Sequence, residues 1–305
     1  MGIEAIKVNR GRIIEVINTS LKDKEKGQGF FKEIPPEQNY IDLLKKHGEE
    51  IGDDKFALHA LFFTTTIVRG DDTEQLFKRI ANDNLIKKFD WIFKPDDVLK
   101  RQDEVIDACF QFFRPGGYNS DAFQQWIHNS DVLENKFGGD LKNYFEFHHN
   151  DATEIINALI VKPRAKTFEK PDFRRFGPKL SRLFIQWVGQ YGFYNLKNVD
   201  KNGIPVDFQI GRILIQTKGI ELSKPTKTYD VSHRTLLPVL TDIFAAENIS
   251  PQLVSETLWT IGSRGCNKKR HQLCPLENMC TSLISRDPYD DGGVFDPRDV
   301  GRFKI

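Results

Sequence analysis

A lysine and an aspartate 28 positions apart, Lys179 and Asp207, each stand where a helix should begin. Lys179 follows a Gly177-Pro178 turn and precedes Leu180, Leu183, Phe184, Trp187, Val188 and Tyr191, the spacing of one buried helical face. Asp207 closes the run Ile204-Pro205-Val206 and opens a second helix. An amine and a carboxylate so placed suit reaction at a sugar carbon, the amine attacking as nucleophile and the carboxylate steadying the developing positive charge. Each residue also has a plainer reading. A lone lysine at a helix start is ordinarily a surface residue, and an aspartate N-cap contributes roughly 0.5–2 kcal/mol with no catalytic duty. The case for chemistry is the pair, carried by the single segment 176–215.

A second reactive set lies further on. Cys266, His271, Cys274 and Cys280 are spaced C-x4-H-x2-C-x5-C, while the fourth cysteine, Cys109, sits alone on an apolar stripe and reads as core. Clustered thiols in a reducing compartment read as metal ligands. Three thiolates and an imidazole make a tetrahedral zinc set. Iron-sulfur clusters usually take four thiolates, histidine ligation being less common. Unliganded cysteines beside a structural histidine remain a third reading.

These groups need helices to hold them. Apolar residues at helical spacing predict helices over 11–22, 40–47, 97–113, 121–137, 151–161, 180–191, 232–247 and 250–261. Residues 55–68 (KFALHALFFTTTIV) are apolar almost all round and predict a helix buried on several sides, although the Thr-, Ile- and Val-rich half also suits a strand. Asp71 or Asp72 can cap the next helix, which turns Leu76, Phe77 and Ile80 inward. The expectation is an all-α protein of two helical lobes: an N-terminal extension over 1–50, a first lobe over 51–165, a second with hairpin, catalytic helices and metal segment over 166–285, and a tail over 286–305.

At 305 residues and 39% hydrophobic content the chain can bury a sizeable core. It has no apolar run long enough to span a membrane and no apolar core of a signal peptide near its start, so a cytoplasmic protein is expected. The net charge of +1 does not mark a nucleic-acid binder, but its distribution does more. Lys162, Arg164, Lys166, Lys170, Arg174, Arg175, Lys179 and Arg182 face only Glu169 and Asp172, a local basic stretch able to track a phosphate backbone, or simply a solvated loop.

The segment 176–215 resembles the helix-hairpin-helix DNA glycosylase superfamily, the fold of endonuclease III, and is nearest in pattern to its archaeal 8-oxoguanine glycosylase branch. That family places a lysine on a hairpin and, after a helix and a loop, an I/V-P-V-D box; Lys179 and Asp207 match these positions. Gly117-Tyr118-Asn119-Ser120 resembles a turn of the same family, and Cys274 to Cys280 matches the closing half of its iron-sulfur motif, with His271 in the slot of its second cysteine. Where the common hairpin has Gly-x-Gly this chain has Phe176-Gly177-Pro178, and Pro178 has no N–H to offer a phosphate.

The resemblance implies two lobes around a DNA-binding groove and a bifunctional glycosylase/AP lyase of base excision repair, acting as a monomer on duplex DNA. The damaged base, an oxidised purine by analogy, would be flipped out. Lys179 would form a Schiff base at the sugar, and Asp207 would stabilise the oxocarbenium-like charge and help the lysine shed its proton. Arg174, Arg175, Gly177, Lys268, Lys269 and Arg270 are the expected DNA contacts. Cys266, His271, Cys274 and Cys280 are the expected ligands of a [4Fe-4S] cluster, with Zn2+ as the alternative. Two other classes stay open: a non-catalytic nucleic-acid-binding module of the same fold, and an N-glycosidase acting on RNA or free modified nucleosides.

Overall fold

The computed structural model describes residues 6–68, 73–114, 120–160, 172–224, 226–266, 270–280 and 302–303. The Asp71 or Asp72 cap, the turn Gly117-Tyr118-Asn119, the basic residues Lys162 to Lys170, Lys268, Lys269, most of the tail, and the side chains of Ser120 and His271 lie outside the described residues.

The described chain is mostly helical. Strand β1 (Ile6–Val8) leads into α1 (Arg10–Glu25), and after a 3-10 turn at Gly29–Lys32 come α2 (Gln38–Ile51), α3 (Phe56–Thr65), α4 (Thr73–Ile80) and α5 (Asp83–Phe89). Then follow α6 (Pro95–Lys100), α7 (Gln102–Phe113), α8 (Ser120–Phe137), α9 (Leu141–Phe147), α10 (Ala152–Leu159) and α11 (Pro178–Gln190). The remainder is α12 (Phe208–Gln216), β2 (Ile220–Leu222), β3 (Thr226–Lys227), a π-helical stretch Asp230–Leu236 running into α13 (Leu237–Glu247), and α14 (Pro251–Thr260) running into a second one, Ile261–Cys266. The last strand is β4 (Arg302–Phe303). β1 pairs antiparallel with β2, Lys7 opposite Glu221, and β3 with β4, Thr226 opposite Phe303. Among the described residues no helix is long and apolar enough to cross a membrane.

The chain divides into two compact units, Ile34–Val199 and Met1–Glu33 together with Asp200–Ile305. The unit Ile34–Val199 is organised around α3, all ten of whose residues are buried. Its threonines are accommodated in the helix, two of their hydroxyls turning back on it: Thr65 Oγ1 donates to Leu61 C=O at 2.7 Å and Thr66 Oγ1 to Phe63 C=O at 2.7 Å. Thr64 Oγ1 shares a hydrogen bond with Tyr40 OH at 2.9 Å. The stretch 97–113, expected as one helix, is two. Arg101, at φ −123° and ψ 37°, leaves the helical region and separates Val98 on α6 from Val105 and Cys109 on α7. Cys109 is fully buried core, and burial pushes its thiol well up.

His59, on α3, is 3% exposed and its Nε2 accepts the N–H of Leu141, at 3.4 Å, where α9 begins. Burial pulls the imidazole from 6.5 down to about 4, against the upward pull of Asp140 and Asp53. Between those two values the unfolded chain binds a proton that the folded chain does not, so stability falls as pH falls through that window. The full loss is about 3 kcal/mol. His59→Gln, which retains an acceptor but cannot titrate there, is expected to flatten the urea-unfolding stability of the chain between pH 6.5 and 4 by about 1 kcal/mol per pH unit. An unchanged slope would place the acid sensitivity elsewhere.

The other unit packs α1 against α14 and α13. Its core is Ile13, Val16 and Ile17 from α1, Ile210, Ile213 and Leu214 from α12, and Leu240, Ile243, Leu258 and Ile261 from the helices that follow. The N-terminal helix is thus joined to elements near the far end of the sequence.

Candidate functional site

The lysine is positioned by α3, α8 and the bend that precedes α11. Residues 172–177 run across α8, where Asn129, 1% exposed, accepts the N–H of Arg174 at 2.8 Å and donates Nδ2–H to its C=O at 3.2 Å. His128 Nε2 lies 3.0 Å from the C=O of Asp172, and Lys136 pairs with the Asp172 carboxylate. The Arg174 side chain is tethered as well, its Nη1 donating to Gln125 Oε1 at 2.9 Å. Phe173 and Phe176 turn into the core, where their rings lie 4.9 and 5.0 Å from that of Phe62. Between them Arg175 adopts φ +76°, a conformation uncommon for a non-glycine residue and one that lets the chain turn with both aromatics inward.

Gly177 is the N-cap of α11 and Pro178 its first residue, so Lys179 is the second. Proline suits that place: its φ is already helical and the N–H it lacks would have no partner inside the helix. Gly177 has no side chain to cap with; instead Ser181 donates Oγ–H to its C=O at 2.9 Å. A Cβ at Gly177 would meet nothing within 4 Å, so glycine there leaves open space rather than avoiding a clash. Lys179 is half-buried. Arg182, one turn on, donates Nη1–H to Pro178 C=O at 2.9 Å, and burial holds its guanidinium below the ordinary arginine value.

Asp207 is held within the other unit. Ile204, Pro205 and Val206 are buried, with Val206 N–H bonded to Ile204 C=O at 2.8 Å, a tight bend that delivers Asp207 to the start of α12. There it is the N-cap, its Oδ1 accepting from Gln209 N–H at 2.9 Å and Ile210 N–H at 3.2 Å. The sequence signal missed what bolts this helix down. Arg212, 1% exposed, donates Nη2–H to Gln209 Oε1 at 2.5 Å and to Gly262 C=O at 2.8 Å, and lies 5.0 Å over the Phe208 ring. Gly262 must be glycine, since a Cβ would stand 2.7 Å from that of Gln209. The π-helical turn carrying Gly262 ends at Cys266, so α12 and the cysteine segment share one anchor. An arginine among the apolar residues of FQIGRILI was the available clue.

The cysteine segment folds as two short 3-10 turns, His271–Leu273 and Glu277–Met279, around buried Leu276. Cys266, Cys274 and Cys280 are half-buried against the core of their unit. Burial pushes the Cys274 thiol up to about 12 and that of Cys280 to about 11, and the charge of neighbouring sulfur pushes the same way. Even so, among the described residues no three His, Cys, Asp or Glu side chains close into a metal-holding group. By donor type, three half-buried sulfurs that resist ionising alone are ones a thiophilic cation would stabilise as thiolates. Arg270 is exposed, its Nη1 3.8 Å from Glu33 Oε1.

Lys179, Arg174, Arg175 and Gly177 therefore belong to one unit, and Asp207, Arg270 and the three cysteines to the other. No family model matches the chain, and no curated protein matches it.

Proposed function

We propose that the chain is a DNA glycosylase with AP lyase activity, working in base excision repair on duplex DNA. What carries the reading is that Lys179 and Asp207 each open a helix, one behind a proline at the first helical position and the other as the cap itself. The Lys179 amine adds to C1′ of a flipped nucleotide; the bond to the base breaks, and the base leaves with the electron pair and takes up a proton. Opening of the sugar at C1′–O4′ gives the imine, and loss of a C2′ proton then expels the 3′-phosphate. Asp207 offsets the positive charge on the sugar and accepts the proton that the amine sheds. Arg174, Arg175, Lys268, Lys269 and Arg270 contact phosphates, and the open space at Gly177 admits a close backbone approach.

A centre held by Cys266, His271, Cys274 and Cys280, a [4Fe-4S] cluster or Zn2+, staples the C-terminal segment and takes no part in the chemistry. An oxidised purine is the proposed substrate, and the location is intracellular, on the chromosome.

Two substitutions at Asp207 separate its duties. Asparagine caps as well as aspartate, so Asp207→Asn is expected to leave the melting temperature unchanged and slow base release by roughly a hundredfold or more. Asp207→Ala is expected to lose about 1 kcal/mol of stability in addition. Equal, undiminished activity in the asparagine variant would leave Asp207 as a cap alone.

A further inference from the structure

Among the described residues, the stretch 12–30 touches the chain at the residue immediately before each of Cys266, Cys274 and Cys280. We propose that residues 12–30 act as a clasp that sets the positions of Cys266, Cys274 and Cys280 through Gly265, Leu273 and Met279, with Arg12 as its pin. At the first point the Phe30 ring lies on Gly265 so closely that a Cβ there would stand 2.8 Å from it. The neighbouring Arg264, 5% exposed, donates to Phe30 C=O at 3.2 Å and to Glu33 C=O at 3.0 Å. At the second, Gly29 rests backbone to backbone on Leu273: its φ is +57°, and a Cβ would stand 2.9 Å from the Leu273 carbonyl oxygen. At the third, Arg12 Nη2 donates to Met279 C=O at 3.1 Å.

Arg12 is oriented for this task by its remaining nitrogens. Nε donates to Thr217 C=O at 2.8 Å and Nη1 to Glu15 Oε2 at 2.7 Å, so the guanidinium is locked between the end of α12 and α1. A planar fork with several donors makes these bonds together; a lysine offers one point charge. Among the described residues, Cys266 ends the π-helical stretch from Ile261, and Cys274 and Cys280 are flanked by two three-residue 3-10 turns. Contacts from α1 and the turn after it onto the backbone before each cysteine therefore help to place the three thiols. Arg12, Gly29 and Phe30 are positioning residues that act through the backbone of the segment. Outer contacts of this kind commonly govern how tightly a metal is retained, roughly 10–100-fold in affinity.

The metal half of the inference rests on the cofactor proposed above, and the thiol half does not. The full chain carrying Arg12→Lys or Gly29→Ala is compared with wild type and with Lys26→Ala, an exposed position on the same segment. Three quantities are read: iron, zinc and sulfide per chain; the rate of metal transfer to a chelator; and the rate at which the thiols react with Ellman's reagent. Far-UV circular dichroism establishes that each variant is folded. The clasp predicts that Arg12→Lys and Gly29→Ala lose metal and expose thiols roughly tenfold faster than wild type, and that Lys26→Ala does neither. Rates within twofold of wild type in folded Arg12→Lys overturn it. Gly29→Ala also strains the backbone, so if it does not fold, Arg12→Lys alone decides. A wild type holding neither iron nor zinc ends the cofactor proposal, and the thiol rates then decide the clasp by themselves.

Discussion

Lys179→Ala is expected to slow release of the damaged base by at least about a thousandfold, as loss of a nucleophile does, and to leave the melting temperature within about 2 °C of wild type. The two halves have separate causes. The start of α11 is built from Gly177 as its N-cap, Pro178 at its first position and the Ser181 hydroxyl bonded to Gly177 C=O, and alanine is the best helix former. Removing the amine therefore removes chemistry without removing the helix. Single-turnover release from a duplex carrying 8-oxoguanine measures the first half, and a thermal melt the second. Activity within tenfold of wild type would take the nucleophile away from Lys179.

Phe62→Ala is expected to destabilise the chain by about 3–5 kcal/mol, the range for emptying a large aromatic from a core. Phe62 is fully buried, and its ring is met at 5.4 Å by Phe63, 4.9 Å by Phe173, 5.0 Å by Phe176 and 5.3 Å by Phe184. The edge-on arrangements with Phe63, Phe173 and Phe184 suit the ring quadrupoles and add to the burial of area. No one neighbour can fill the space, because the three outside α3 approach from the bend before α11 and from α11 itself. The same variant should therefore loosen Phe173 and Phe176, the two inward anchors of the bend that leads to Lys179, and lower base release in the fraction that remains folded. Urea unfolding measures the first effect; a loss under 1.5 kcal/mol would mean that the pocket collapses around the missing ring.

The helices that carry the candidate residues were legible because their signals are local. Gly177-Pro178 before a clean apolar face marked the start of α11, and Pro205-Val206-Asp207 the start of α12. The apolar wrap of 55–68 marked α3 as central, though only the structure shows its threonine hydroxyls turned back on the helix. The break at Arg101 was hidden, since apolar residues keep helical spacing across it. The seven-residue helices α5 and α9 are about two turns each, too short for periodicity to declare them.

What holds the site was less legible than the site. Asn129 grips the backbone of Arg174 from 45 positions away, and Arg12 reaches Met279 across 267, contacts that leave no trace in local pattern. The turn at Arg175 takes a positive φ that sequence would assign to glycine or asparagine. Gly29 and Gly265 are unremarkable as letters, and their need appears only when the backbone or ring lying against each is known.

Borohydride trapping tests the Lys179 chemistry most directly. Folded wild-type protein is incubated with labelled duplexes carrying 8-oxoguanine or an abasic site, and reduced to capture an imine. A covalent protein–DNA adduct is expected with both duplexes, mapped by peptide sequencing to Lys179. No adduct with either duplex, from protein that is folded and binds DNA, would contradict it and leave a nucleic-acid-binding protein without this lyase chemistry.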